Sequence, residues 1–152
     1  MRLPVIEIAS PLGLIVSRPA PAVDGRDTLS RAGQVMESSR VSAVLVDRGE
    51  AILSERDMTR ALVAGRRADD PVSSVATPHP LAVSSHTAIL DAAALMLNEE
   101  VRHLVVRFDD DDLGIVSMRA VLAVLLQAST PEMWMQHLRL EIRLHPSDLW
   151  LG

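Results

Sequence analysis

Apolar positions follow two rhythms along the chain, and the same order of rhythms occurs twice. A strand-like pair, Ala22-Val23 or Ala82-Val83, leads into a stretch with helical spacing, where Ile89, Ala92, Ala93 and Met96 fall on one face. Asp27 or Thr28 in the first copy, and Thr87 in the second, suit the N-cap of that helix. The β-branched runs "VSAVLV" and "VRHLVV" follow, then the turns "DRGE" and "DDDD", shorter apolar strands "AIL" and "LGIV", and a second helix. Each copy is therefore expected to run strand, helix, strand, strand, helix. Gly65 is placed to end the first copy's last helix, and "RRADDPVSS" is a polar linker with Pro71 at the start of the second copy.

The two copies superimpose residue by residue. Residues 20 to 46 lie over residues 80 to 106, and Ala22, Val23, Ala32, Met36, Val41 and Val46 meet identical residues at Ala82, Val83, Ala92, Met96, Val101 and Val106. After the longer "FDDDD" turn the register moves on by three, and Ile52, Ser54, Arg56 and Leu62 meet Ile115, Ser117, Arg119 and Leu125. The only gap lies at a predicted turn, which marks a duplication. A unit of about 60 residues buries too little surface to be comfortable alone. Two units packed sheet to sheet about a pseudo-two-fold solve that, and leave a cleft with two equivalent mouths. The expected division is residues 1–67, 68–128 and a helical tail over 129–152, opened by Thr130, Pro131 and Glu132.

Composition narrows the chemistry. The 152 residues carry a net charge of −5 and no cysteine, which argues against a general phosphate-backbone binder and excludes disulfides and thiolate sites. With only Phe108, Trp134 and Trp150 as aromatics, a stacking platform for single-stranded nucleic acid has little to be built from. The broken apolar start, with Glu7 inside it, makes a poor signal peptide, and no apolar run approaches a membrane span, so a cytoplasmic protein without membrane or nucleic-acid partners is expected. The five histidines lack the helical pair spacing of zinc hydrolases, and no nucleophile elbow or glycine-rich phosphate loop occurs. The run Asp109 to Asp112 reads as a hydrated hairpin tip; no metal and no catalytic residue is assigned. His103 reads as a hydrogen-bonded structural residue.

The stretch "AILSERDMTRALVAG" has two readings. Ser54-x-x-Asp57 before a helical pattern is a capping box, in which each side chain satisfies the other's orphan backbone donor. The same geometry, a serine and free amides at a helix start, is also a seat for phosphate.

"VRHLVV", "GIVSMRAVL" and their counterparts "VSAVLV" and "AILSERDMTRAL" resemble the cystathionine-β-synthase (CBS) domain family as a tandem pair, a Bateman module, over residues 4 to 128. The resemblance implies an α/β (α+β) fold of two CBS motifs with pseudo-two-fold symmetry. It also implies a non-catalytic sensor for an adenine nucleotide (AMP, ADP, ATP or a related adenosyl ligand), commonly a homodimer, acting on an unidentified target protein. The family motif falls on Ala51, Ile52, Leu53, Ser54 and Asp57. It implies Asp57 as ribose acceptor and Ser54 and Arg56 as phosphate partners. Thr77, Leu81, Val101, Arg102 and Ser42 would complete the pocket across the cleft, with Leu81 and Val101 sandwiching the base. The second copy keeps Gly114, Ile115, Val116 and Ser117 but has Ala120 at the aspartate position. Its mouth is expected to be empty, or a phosphate-only site at Ser117 and Arg119. A degenerate pair that only dimerises or binds other proteins is the alternative function.

Overall fold

A computed structural model describes residues 6–128. The tail over 129–152, and with it the expected helix at Thr130, lies outside the described residues.

The first copy contains β1 (Ala22–Val23), α1 (Leu29–Ser39), β2 (Ala43–Val46), β3 (Ala51–Ser54) and α2 (Glu55–Val63). After the linker come β4 (Thr77–Pro78), β5 (Ala82–Ser84), α3 (Ile89–Asn98), β6 (His103–Arg107), β7 (Leu113–Ser117) and α4 (Met118–Ala128). The expected order holds in both copies, with β4 added. One sheet runs β1-β2-β3-β4 and the other β5-β6-β7. In each, the first strand is parallel to the second and the second antiparallel to the third: Ala22 pairs with Leu45 as Ala82 does with Val105, and Leu45 with Ile52 as Val105 with Ile115. β4 belongs to the first sheet, with Thr77 beside Ile52.

Strand alternation explains how the halves join. Val44 and Val46 face α1 and α2, and Leu104 and Val106 face α3 and α4, each group closing its own core. Leu45 and Val105, at equivalent positions, point the other way and meet in a third cluster with Ala20, so both sheet faces of the middle strands are buried. This third cluster is the sheet-to-sheet contact.

The cores interlock through the connecting segments. Leu12 and Val16 pack with Ile89, Met96 and Val116 in the second core, whereas Val72 packs with Leu29, Met36 and Leu53 in the first. The backbone repeats the exchange: the Leu12 and Val72 amides donate to the Thr87 and Asp27 carbonyls, each at 2.8 Å. A cut at residue 67 thus separates the repeats along the chain but not the packed cores.

Helix ends differ in one respect from the sequence reading. Thr28 caps α1 by accepting from the Arg31 amide, but α3 has Ala88 at its N-cap and not Thr87. The repeat register puts Ala88 where Thr28 stands, and Thr87 where Asp27 stands. The amides of Ile89 and Leu90 are satisfied instead by the carbonyls of Ser10 and Ile8 on the N-terminal arm. Gly65, at φ 78°, ends α2: its amide donates to Leu62 and that of Arg66 to Ala61, the paired bonds of a Schellman motif. Gly114 lies where the arm crosses β7, and a Cβ there would collide with Val16.

Candidate functional site

The strand-to-helix corners meet at the pseudo-two-fold. At the first, the Glu55 amide donates to the Ser42 carbonyl; at the second, the Met118 amide donates to the Arg102 carbonyl. Each bond ties a helix start to the chain entering the facing strand of its own sheet. The serines and arginines that follow are thereby brought toward one another across the cleft.

A cavity of about 170 Å³ lies there, lined from both copies by Ser54 and Ser117, Arg56 and Arg119, and Ser42 and Arg102. Ser42, Ser54, Arg56 and Arg102, assigned from sequence to one mouth, thus share this chamber with Ser117 and Arg119, assigned to the other, whereas Asp57, Ile52, Thr77, Leu81 and Val101 do not line it. No salt bridge engages Arg56, Arg102 or Arg119 among the described residues. Three unpaired arginines against the single carboxylate of Glu55 give the chamber a positive balance that the net charge of the chain conceals.

Asp57 is committed to the helix cap. Its Oδ2 accepts from the Ser54 hydroxyl at 2.6 Å and the Ser54 amide at 2.9 Å, while its own amide donates to Ser54 Oγ at 3.3 Å. Its Oδ1 faces Arg60 Nη1 at 3.9 Å, and the side chain is only 13% exposed. The capping box is complete. On the second corner only half of it exists, with the Ala120 amide donating to Ser117 Oγ at 3.2 Å.

The remaining sequence-assigned residues line neither this chamber nor the larger cleft beside it. Ile52 and Thr77 are register partners across β3 and β4. Leu81 is 39% exposed, and Val101 is partly buried against the second core.

A larger cleft, about 630 Å³, opens on the side of Ala120. Ile115, Ser117 and Arg119 line it from the second copy, Val41 and Ala43 from the first, and Ser17 and Pro21 from the N-terminal arm. The sequence reading did not single out the arm. Its signal was the upstream extension of the repeat, where Pro11 matches Pro71 and Ser17 and Pro21 occupy the places of Thr77 and Leu81. Glu37 and Arg40, at the end of α1, also line this cleft, with Arg40 in the left-handed region at φ 54°.

His103 stands at the junction of the two cavities. One ring nitrogen, Nε2, is 2.8 Å from Ser42 Oγ, a bond that crosses from one copy to the other. Burial pushes its pKa below the ordinary 6.5, nearby Arg102 pushes the same way, and Asp57 and Glu55 oppose them.

The aspartate turn is engaged by basic side chains of the protein itself. Arg18 Nη1 lies 2.6 Å from both oxygens of Asp110, with its guanidinium 4.3 Å from the centre of the Phe108 ring, and His86 Nε2 is 2.8 Å from Asp109. The Arg18 bond holds the Asp110 carboxyl below the usual carboxylate range. Among the described residues no group of three His, Cys, Asp or Glu is placed to hold a metal ion, and no helix is long and apolar enough to cross a membrane.

The CBS-domain family model matches residues 72–127, the second of the two repeats. A CBS domain protein from Pyrobaculum aerophilum complexed with AMP superimposes with a TM-score of 0.66 at 24% identity, over 78% of this chain and 97% of that one. The chain belongs to the CBS-domain family. Its two repeats form a CBS pair. CBSX2 in complex with AMP has the same fold, with a TM-score of 0.60 at 23% identity over 78% of this chain and 97% of that one. An uncharacterized 17.7 kDa protein of Acidianus ambivalens is 31% identical over 108 residues, 68% of this chain. The matched region spans 65% of that relative's length.

Proposed function

We propose that this CBS pair is a non-catalytic regulatory module that binds an adenine nucleotide (AMP, ADP, ATP or a related adenosyl ligand) between its two motifs. The observation that carries the reading is the chamber where Ser54, Ser117 and three unpaired arginines converge. It is chemically suited to phosphate, which arginine holds by charge-assisted, often bidentate hydrogen bonds. The AMP found with two proteins of the same fold supports adenosine as the remainder of the ligand. In this reading Asp57 accepts from the ribose, Ser54 and Arg56 hold phosphate, and Ile52, Leu81 and Val101 face the base. Thr77, Ser42 and Arg102 supply the polar contacts.

The 630 Å³ cleft favours a second placement. There the nucleoside lies between Ile115 and Val41 on the Ala120 side, and its phosphate reaches Arg119, which lines both cavities. Both placements use aliphatic walls, as a cleft poor in aromatics requires.

The protein acts in the cytoplasm, as a homodimer, on a target protein that reads the ligand state. Exposed Leu122 and Leu126 on α4, with Leu62 and Val63 on α2, support self-association, and sedimentation at micromolar concentration is expected to show a dimer. Thermal unfolding with AMP, ADP and ATP tests the ligand. A nucleotide at about 100 times its Kd adds about 2.7 kcal/mol of stability. No stabilisation by any member of the panel would remove the nucleotide reading and leave an interaction module.

A further inference from the structure

The Ser42–His103 pair occupies the junction of the cleft, because Ser42, Glu55, His103, Ser117 and Arg119 line both the 630 Å³ and the 170 Å³ cavities. The repeats also differ there. Ser42 matches Arg102 in the duplication and Ala43 matches His103, so the hydrogen bond has no symmetric counterpart.

We propose that His103 determines specificity for oxyanions in this cleft: an anion entering the arginine-lined chamber draws a proton onto His103, and the module binds its phosphate group together with that proton. The inference rests on the phosphate reading of the chamber and adds how occupancy is coupled to pH.

The chemistry follows from the bond at 2.8 Å. With the neutral ring protonated at Nδ1, Nε2 accepts from the Ser42 hydroxyl. Protonation at Nε2 reverses the bond: Nε2–H donates to Ser42 Oγ, and the hydroxyl hydrogen is released to donate elsewhere. One proton thus supplies a positive charge and a new hydrogen-bond donor at the junction.

The charges facing the ring set the direction. Arg102 adjoins it just before β6, Arg56, Glu55 and Asp57 come from α2, Arg119 from α4, and Glu37 and Arg40 from the end of α1. Without an anion, burial and Arg102 favour the neutral ring. A dianion in the chamber offsets the charge of Arg102 and places negative charge near the ring, which favours imidazolium.

Sulfate is the probe, because it does not titrate near neutrality and carries no adenine. Histidine ring resonances of the full chain are followed through a pH titration with and without sodium sulfate at equal ionic strength, and sulfate affinity is measured at about pH 5.5 and about pH 7.5. The expected result is an upward shift of the His103 pKa on adding sulfate, with affinity about tenfold higher at the lower pH, the equivalent of a one-unit shift. His103→Gln, which keeps a side chain able to hydrogen-bond Ser42, is expected to bind sulfate with no such pH dependence. Ser42→Ala serves as a second variant, expected to retain the His103 shift while losing affinity. A His103 pKa indifferent to sulfate, or an equal pH dependence in His103→Gln, overturns the proposal. Failure of AMP to bind while sulfate shifts His103 would sink the adenine assignment alone.

Discussion

Asp57 and Ser54 hold each other through three hydrogen bonds, at 2.6, 2.9 and 3.3 Å, and one carboxylate oxygen of Asp57 takes part in two of them. Capping and ligand binding therefore draw on the same carboxylate. Asp57→Ala is expected to cost about 1 kcal/mol of folding stability from the cap. It is also expected to weaken AMP binding by about 1.5 to 3 kcal/mol, the range for a hydrogen bond involving a charged group. Melting curves read the first effect and calorimetry on the folded protein the second. Full affinity in a folded Asp57→Ala protein would assign the carboxylate to the cap alone.

The interlocked cores predict that the N-terminal arm stabilises the second motif. Leu12 is fully buried among Ile89, Met96 and Val116, although it lies far from them in sequence. Leu12→Ala should cost about 2 to 5 kcal/mol, the loss for a buried leucine that leaves a cavity. Hydrogen exchange locates the effect: amides of β6 and α3 should lose more protection than those of β2. Equal loss in both motifs would mean that the pair unfolds as one unit.

Much of this architecture was legible from periodicity and duplication, because both are local records of which face is buried. The strand and helix order, Gly65 as terminator and the capping box at Ser54 all follow from short-range patterns. The hydrogen-bonded state of His103 follows from a polar ring in a strand that must be buried on both faces. The arm was not legible in the same way. Leu12 and Val72 sit in irregular segments with no period, and their burial is decided by the motif they cross to. Thr87 misled for a related reason. A threonine before a helix satisfies the local N-cap rule, but the arm's carbonyls had already satisfied the amides it would cap. The meeting of Arg56, Arg102 and Arg119 was hidden because each is an exposed arginine even in the folded pair, and only the packing of the copies about their axis brings them to one cavity.

His103 gives the fold a pH dependence. Its pKa is lowered in the folded protein, so the native state favours the neutral ring while the unfolded chain binds a proton near the ordinary 6.5. This contribution is fully present above the unfolded pKa and is lost as pH falls below about 6.5, down to the folded value. The melting temperature should therefore fall as pH drops below about 6.5, and His103→Gln should flatten that part of the profile. Carboxylate protonation acts at lower pH, and the variant should leave that limb unchanged. A wild-type profile flat through this window would mean that the ring is not held neutral.

Ala120 is the position where the duplication lost a carboxylate, and Ser117 still accepts from its amide at 3.2 Å. Ala120→Asp should restore the reciprocal half of the box, in which the carboxylate accepts from the Ser117 amide as Asp57 does from Ser54. The gain in folding stability should be on the order of 0.5 to 1 kcal/mol, from the cap and the favourable charge in the first turn of α4. The new carboxylate would also line the 630 Å³ cleft. For a nucleoside in that cleft, AMP affinity should rise, because the diol gains an acceptor. Were the nucleotide confined to the Asp57 side, the variant would melt higher with its AMP affinity unchanged. Added negative charge near Arg119 works in the opposite direction on free phosphate, so sulfate binding should weaken even as AMP binding strengthens. Opposite responses of the two ligands place the nucleoside beside Ala120, and weakening of both would exclude it from that mouth.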